Sequence, residues 1–186
     1  MRKLTHDEIS KNRSSLDTLH TIKKLPVTVL LNSIRSSYNV GSIFRTSDGA
    51  MIEQLILCGY TPHPPIDSEN TGNKDVLKTA LGSTQSVKWQ YIKNAVEAIK
   101  EIKAQGIKIC ALELTEDSKP YSDITQYKFP LCLVVGNEIT GVSQEVLDLC
   151  NYSIEIPQYG IKQSLNVAVA YGIAVFELRK MFDQRD

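Results

Sequence analysis

Five polar residues stand where chemistry could be done in this sequence: Asn39, Arg45, Glu138, Ser164 and Asn166. Each follows an apolar, strand-like block, and in open α/β sheets ligands bind beyond the carboxyl ends of the strands. In NVGSIFRTS, Arg45 comes six residues after Asn39, under two turns of a helix. A guanidinium there can reach back toward a strand end or out to a phosphate. On a mostly apolar helix it needs an anionic or polar partner, which an ordinary salt bridge would also supply. In VVGNEITGVSQE, Gly136 sits at a strand exit, where a missing Cβ lets a ligand approach the backbone. Glu138 in that stretch reads equally as a solvated residue of a tight turn. In IPQYGIKQSLNVAVAYG, Ser164 and Asn166 stand at the mouth of an apolar helix. A serine there is ordinarily a cap, whereas Asn166, read as a buried amide early in a long helix, must find partners for both its donors and its acceptor.

Other chemistries lack their residues. There is no G-x-G-x-x-G after the first strand, no G-x-x-x-x-G-K-[ST] and no G-x-S-x-G. His6, His20 and His63 are scattered, and Cys58, Cys110, Cys132 and Cys150 lie singly among apolar neighbours, so no metal site is expected. The cysteines read as buried thiols in a reducing compartment. With 186 residues, 42% hydrophobic and 23% charged, the chain suits one globular domain. Twenty-one basic residues balance 21 acidic ones, so a nucleic-acid partner must be held by a local patch. No apolar run approaches the roughly 18 residues of a membrane span, and MRKLTHDE lacks the apolar segment of a signal peptide. A cytoplasmic protein with no membrane contact is expected.

The elements that must position these residues alternate. Thr5 and Glu8 at capping-box spacing open a helix expected over 7–24, closed by Pro26. Its apolar face is thin, and residues 1–24 carry six Lys or Arg against three acids, which suits either a solvated packing helix or an RNA-contacting arm. Then VTVLLNSI, EQLILCG, VKWQYI, KICALEL, PLCLVVG and NYSIEIP read as strands. Helical blocks lie between them: the stretch from Asn39 to Met51, a short piece over 74–82, and 94–106, opened by Asn94 and closed by Gly106. A long helix ends the chain. This pattern implies an α/β fold with a mostly parallel sheet and helices on both faces. Residues 60–73 form a polar, proline-containing surface loop.

Three ordered motifs then become visible. They are Asn32-x-x-Arg35-x-x-x-Asn39-Val-Gly-Ser-Ile-Phe-Arg45-Thr, Gly136-Asn-Glu138-Ile-Thr-Gly141-Val-Ser, and Ile156-Pro-Gln-Tyr-Gly160-Ile-Lys-Gln-Ser164-Leu-Asn166. With KTALGS at 78–83, they resemble the SpoU/TrmH family of RNA ribose 2′-O-methyltransferases in the SPOUT superfamily, over about residues 27–180. The resemblance implies a C-terminal deep trefoil knot, S-adenosylmethionine as cofactor, tRNA or rRNA as partner, and a homodimer whose active site is completed across subunits. It implies an N-terminal helical extension over 1–25 and a SPOUT methyltransferase domain over 26–186. By carry-over, Asn39, Arg45, Glu138, Ser164 and Asn166 are the catalytic set. Leu112, Val135, Gly136, Asn137, Ile156, Ser164 and Leu165 line the cofactor.

Two other readings share the fold: a SPOUT enzyme methylating a base nitrogen, and a non-catalytic RNA-binding member. The chain also departs from the family pattern. Met51 stands where the first-motif helix usually ends in glycine, with Gly49 two residues early, and Gln158 replaces a frequent methionine. With no separate RNA-binding domain ahead of the catalytic fold, target selection is expected to rest on the N-terminal helix, the 60–73 loop or the dimer surface.

Overall fold

Strands rich in Val, Ile and Leu along their whole length are the mark of a sheet covered on both faces. In the computed structural model, which describes all residues except 12, 67–71, 124–128 and 186, they form one seven-stranded sheet. The strands are β1 (Leu25–Asn32), β2 (Ile52–Cys58), β3 (Trp89–Ile92), β4 (Lys108–Leu112), β5 (Lys119–Pro120), β6 (Leu131–Val135) and β7 (Tyr152–Glu155). Their order is β3-β2-β1-β6-β4-β7-β5, and every neighbouring pair is parallel. β5 was not expected, because two residues are too few to leave a periodic pattern.

Alternation along each strand divides the core. Val27, Val29 and Leu31 of β1, with Leu131, Leu133 and Val135 of β6, enter the apolar layer on one face, while Leu30, Cys132 and Val134 enter the other. The first layer is closed by α2 (Ser37–Ala50), α3 (Lys74–Ala80) and α7 (Val167–Asp183), and the second by α5 (Ala95–Ala104) and α6 (Gln144–Leu147). Cys58, Cys110 and Cys132 are buried and Cys150 is half-buried, all as free thiols. Burial pushes the Cys58 thiol up to about 12 and that of Cys150 up to about 11.

Two details of α2 matter for the site. Gly41 lies against α3, and a Cβ there would overlap Thr79 Oγ1 and the Val76 carbonyl, so only glycine permits this approach. At its other end α2 runs through Gly49 to Ala50, and Met51 itself takes the left-handed position (φ 53°) that glycine usually fills. Its N–H caps the helix on the Asp48 and Ser47 carbonyls.

The N-terminal helix expected over 7–24 is not continuous. A short α1 (His6–Lys11), with the Thr5 and Glu8 capping box formed, is followed by a 3₁₀ turn at Leu16–Thr21. Ser15 and Thr18 exchange local hydrogen bonds that start this second turn, and neither piece has a buried residue to hold a longer helix together. The expected 74–82 helix stops at Ala80, where Leu81 turns left-handed (φ 47°), before the single turn α4 (Ser83–Ser86). Residues 67–71 of the expected 60–73 loop lie outside the described residues.

Because β1, β6, β4 and β7 are consecutive in the sheet, the segments leaving their carboxyl ends meet at one place. The three motifs follow β1, β6 and β7.

Candidate active site

Asn39 ties the motifs together. Ser36 caps α2, accepting from the Asn39 amide at 3.3 Å, which sets the Asn39 side chain on the first turn. Its Nδ2 donates to Glu138 Oε1 at 2.8 Å, and its Oδ1 accepts from Asn166 Nδ2 at 3.1 Å. Glu138 also accepts from the backbone amides of Arg35 (2.8 Å) and Ser36 (3.0 Å). Burial alone would push the Glu138 carboxyl up. The donors from Arg35, Asn39 and Ser36 outweigh it and hold its pKa below the usual carboxylate value. Glu138 is therefore an ionised docking point for the β1–α2 loop rather than a solvated turn residue.

Asn166 is the N-cap of α7, accepting from the amides of Ala168 (2.9 Å) and Val169 (3.4 Å). The cap role expected of a serine here belongs to Asn166, and the helix begins at Val167. The amide is exposed, and its partners are the helix end and Asn39.

Asn137 closes the seam from the other side. It is 7% exposed, its Nδ2 donates to the Ser33 carbonyl (2.8 Å) and the Tyr60 hydroxyl (2.7 Å), and its Oδ1 accepts from the amides of Ile139 and Thr140. With its amide so engaged, Asn137 fixes loop shape. Gly136 also serves the loop: a Cβ would overlap the backbone of Gly141 and Val142, so the motif's own turn requires glycine at this strand exit.

A cavity of about 560 Å³ opens beside this seam, within the roughly 300–1,000 Å³ expected of small-molecule sites. Leu112, Val135, Gly136, Asn137, Ile156, Ser164 and Leu165 all line it, as does Glu138; Asn39, Arg45 and Asn166 do not. Arg45 is exposed on α2 and has no hydrogen-bond or ion-pair partner among the described residues, so a structural salt bridge does not account for it.

Sequence reasoning missed Glu113 and Tyr60. Glu113 lines the cavity and accepts from the amides of Val142 (2.8 Å) and Leu114 (3.0 Å); its place directly after β4 was the available signal. Tyr60 follows β2 and had no such pattern.

The cavity suits S-adenosylmethionine. Leu112, Val135, Ile154, Ile156 and Leu165 give apolar walls for a purine, and Glu113 brings a carboxylate to the same space. Residues 157, 158 and 160–165 line the cavity and make no backbone–backbone hydrogen bonds among the described residues, so their backbone groups are available to an adenine edge or ribose.

Comparison with known proteins agrees with this geometry. The profile described as the SpoU rRNA Methylase family matches residues 26–176. The tRNA (guanosine(18)-2′-O)-methyltransferase of Aquifex aeolicus is 34% identical over 161 residues, covering 84% of this chain and 70% of the relative. The crystal structure of the A. aeolicus TrmH/SpoU tRNA modifying enzyme superposes with a TM-score of 0.77 at 28% identity, covering 91% of this chain and 83% of that one. The AdoMet-bound rRNA methyltransferase from Sinorhizobium meliloti gives a TM-score of 0.74 at 30% identity; 87% of this chain is covered but only 59% of that one. With its motifs joined through Asn39 and its sheet matched over most of its length, this chain belongs to the SpoU family of RNA methylases.

Proposed function

We propose that this chain, as a homodimer, moves a methyl group from S-adenosylmethionine to a ribose 2′-hydroxyl of tRNA or rRNA, with Arg45 at the reacting oxygen. Membership of the SpoU family makes it an RNA ribose 2′-O-methyltransferase that uses S-adenosylmethionine. The observation that carries the residue assignment is the hydrogen-bonded series from Glu138 through Asn39 to Asn166, with Arg45, which has no partner among the described residues, farther along the same helix.

Bound in the cavity, S-adenosylmethionine supplies a methyl group made electrophilic by its sulfonium. The ribose hydroxyl is a poor nucleophile until its proton leaves, so the site must orient it and stabilise the negative charge that develops. Arginine's pKa, above about 12, makes it a poor base and a constant cation. Arg45 therefore orients the hydroxyl and an adjoining phosphate and stabilises the alkoxide, while the proton passes to solvent. Glu138 and Asn39 hold the first-motif loop and the start of α2 in register. Asn166 locks the third motif to them, and Ser164 and Leu165 place that motif along the cavity wall.

The dimer completes the site. Arg45 is absent from its own protomer's cavity wall, and α2 runs beside α7, with Gly49 near the Phe176 ring and Gly172 near Thr46. The adjoining surface is apolar: Leu165, Val169 and Phe176 are 39%, 52% and 50% exposed, and Tyr159 and Ile161 are almost fully so. An apolar stripe of this kind marks a protein contact, and a second copy seated on it brings one protomer's cavity to the other's Arg45. In this reading residues 1–25 are an extension and residues 26–186 the catalytic SPOUT domain with its knot.

The test is methylation of total RNA from a strain lacking the gene, with the modified nucleotide mapped after nuclease digestion. Ribose-methylated guanosine is the first product to look for, as in the Aquifex relative's name; a methylated base would overturn the assignment. Arg45→Ala should abolish turnover while leaving S-adenosylmethionine affinity and thermal stability within error, because the side chain is exposed and without a partner among the described residues.

A further inference from the structure

Tyr60 presents an exposed aromatic ring on a rigid support at the centre of the site. The residue is 62% exposed, yet its hydroxyl accepts from Asn137 Nδ2 at 2.7 Å. The strand order β2-β1-β6 means that this side chain, leaving the end of β2, reaches across the end of β1 to the second motif. Its backbone is held on both sides. Gly59 donates to the Lys93 carbonyl (3.1 Å) and accepts from the Tyr91 hydroxyl (2.6 Å). Thr61 is 2% exposed, accepts from the Ile34 amide (3.0 Å) and donates to the Cys58 carbonyl (2.6 Å). The conformational entropy of ordering this ring is thus already spent in the free protein.

Two cavities lie near Tyr60. Its partner Asn137 lines the methyl-donor cavity, while Gly59 and Ser33 line a second cavity of about 460 Å³. Asn32 and Lys93 also line the second cavity, as do the carboxylates Glu97 and Glu145, so the cations available to a phosphate are the exposed arginines rather than this cavity. Arg35 belongs to the same hydrogen-bonded cluster through its amide on Glu138. Its exposed guanidinium, like that of Arg45, is unpartnered among the described residues. Exposed aromatic faces next to free cations are how proteins hold unpaired nucleotides, the ring stacking on a base and the cation meeting the phosphate.

We infer that Tyr60 is a positioning residue that stacks on a base of the substrate RNA and so sets the reacting ribose between the methyl-donor cavity of its own protomer and the Arg45 that the second copy brings to it. The inference rests on the methyltransferase reading above, since it takes the neighbouring cavity as the donor's. Tyr60 touches neither the donor nor the reacting oxygen. It acts by fixing the nucleotide with a ring whose tilt is set by Asn137.

The test compares Tyr60→Phe, Tyr60→Leu and wild type. Binding of bulk unmodified tRNA is measured without S-adenosylmethionine, together with KM for RNA, kcat, and S-adenosylmethionine affinity by calorimetry. Tyr60→Leu keeps apolar bulk but has no π face, and should weaken RNA binding and raise KM for RNA by about 5- to 100-fold, the worth of one base–aromatic stack. S-adenosylmethionine affinity should not move. Tyr60→Phe keeps the ring and should stay within about threefold of wild type in RNA binding. Leu matching wild type, or Phe and Leu losing RNA binding equally, overturns the inference, as does a parallel loss of S-adenosylmethionine affinity, which would mean that Tyr60 merely supports Asn137. The binding arm needs no turnover, so a failure of the methyltransferase reading would show separately, as an inactive wild type.

Discussion

Replacing Glu138 by glutamine should loosen the site in a pH-dependent way. The carboxylate accepts three hydrogen bonds, from the Arg35 amide on one oxygen and from the Ser36 amide and Asn39 Nδ2 on the other. Glutamine keeps one acceptor oxygen and turns an NH₂ toward at least one of those donors, so one bond is lost and becomes a donor–donor contact. Hydrogen bonds to a charged group are worth about 1.5–3 kcal/mol each. Glu138 is only partly buried, and solvent reduces that value, so the net loss should be about 1–2 kcal/mol at pH 7. For a chain of this size that is a drop in Tm of roughly 2–8 °C. The pH dependence follows from the depressed pKa. Glu138 contributes stability above its unfolded-state pKa, and the contribution is lost as pH falls through the lower folded-state value. The gap between wild type and Glu138→Gln should therefore be widest near neutrality and close in acid. Urea unfolding from pH 7 down to the acid limit of the native state measures it. A variant as stable as wild type at pH 7, or a gap that does not change with pH, would refute the docking role.

Two further perturbations separate packing from function. Gly41→Ala gains about 1 kcal/mol of helix propensity but forces a methyl group into the Val76 carbonyl and the Ala80 amide, backbone atoms that cannot step aside. A net destabilisation of about 1–2 kcal/mol by urea unfolding is expected, and a more stable variant would show that α3 can move away from α2. Asn166→Asp keeps the cap of α7 but has no donor for Asn39, so its Tm should stay close to wild type while methyl transfer falls; Asn166→Ala should lose about 1 kcal/mol in addition. Full activity in the Asp variant would rule out the link between the first and third motifs.

Some of this was legible residue by residue. The nearly unbroken apolar runs of β1 and β6 announced strands buried on both faces, and the blocks between them announced the helices. The N-terminal segment misled because Thr5 and Glu8 give a true start signal, whereas nothing downstream has a buried face to sustain the helix. Gly136 lines the cavity, as its place at a strand exit suggested, and its small size is also used against the turn that follows, which depends on where residues 141 and 142 fold back.

Local pattern alone set the identity and order of the parts: strand and helix periods, the three motifs with their spacing, and Asn39, Arg45 and Glu138 as polar residues in the segments that follow strands. These are local properties, set by patterns a few residues long. The folded chain adds that β1, β6, β4 and β7 lie side by side and bring Glu138 and Asn166, distant in sequence, onto the two ends of one asparagine side chain. It also decided that Tyr60 spans the end of a strand to meet Asn137. Hydrogen bonds between residues about 80 to 130 positions apart leave no trace in local periodicity; they follow from the order in which the strands pair.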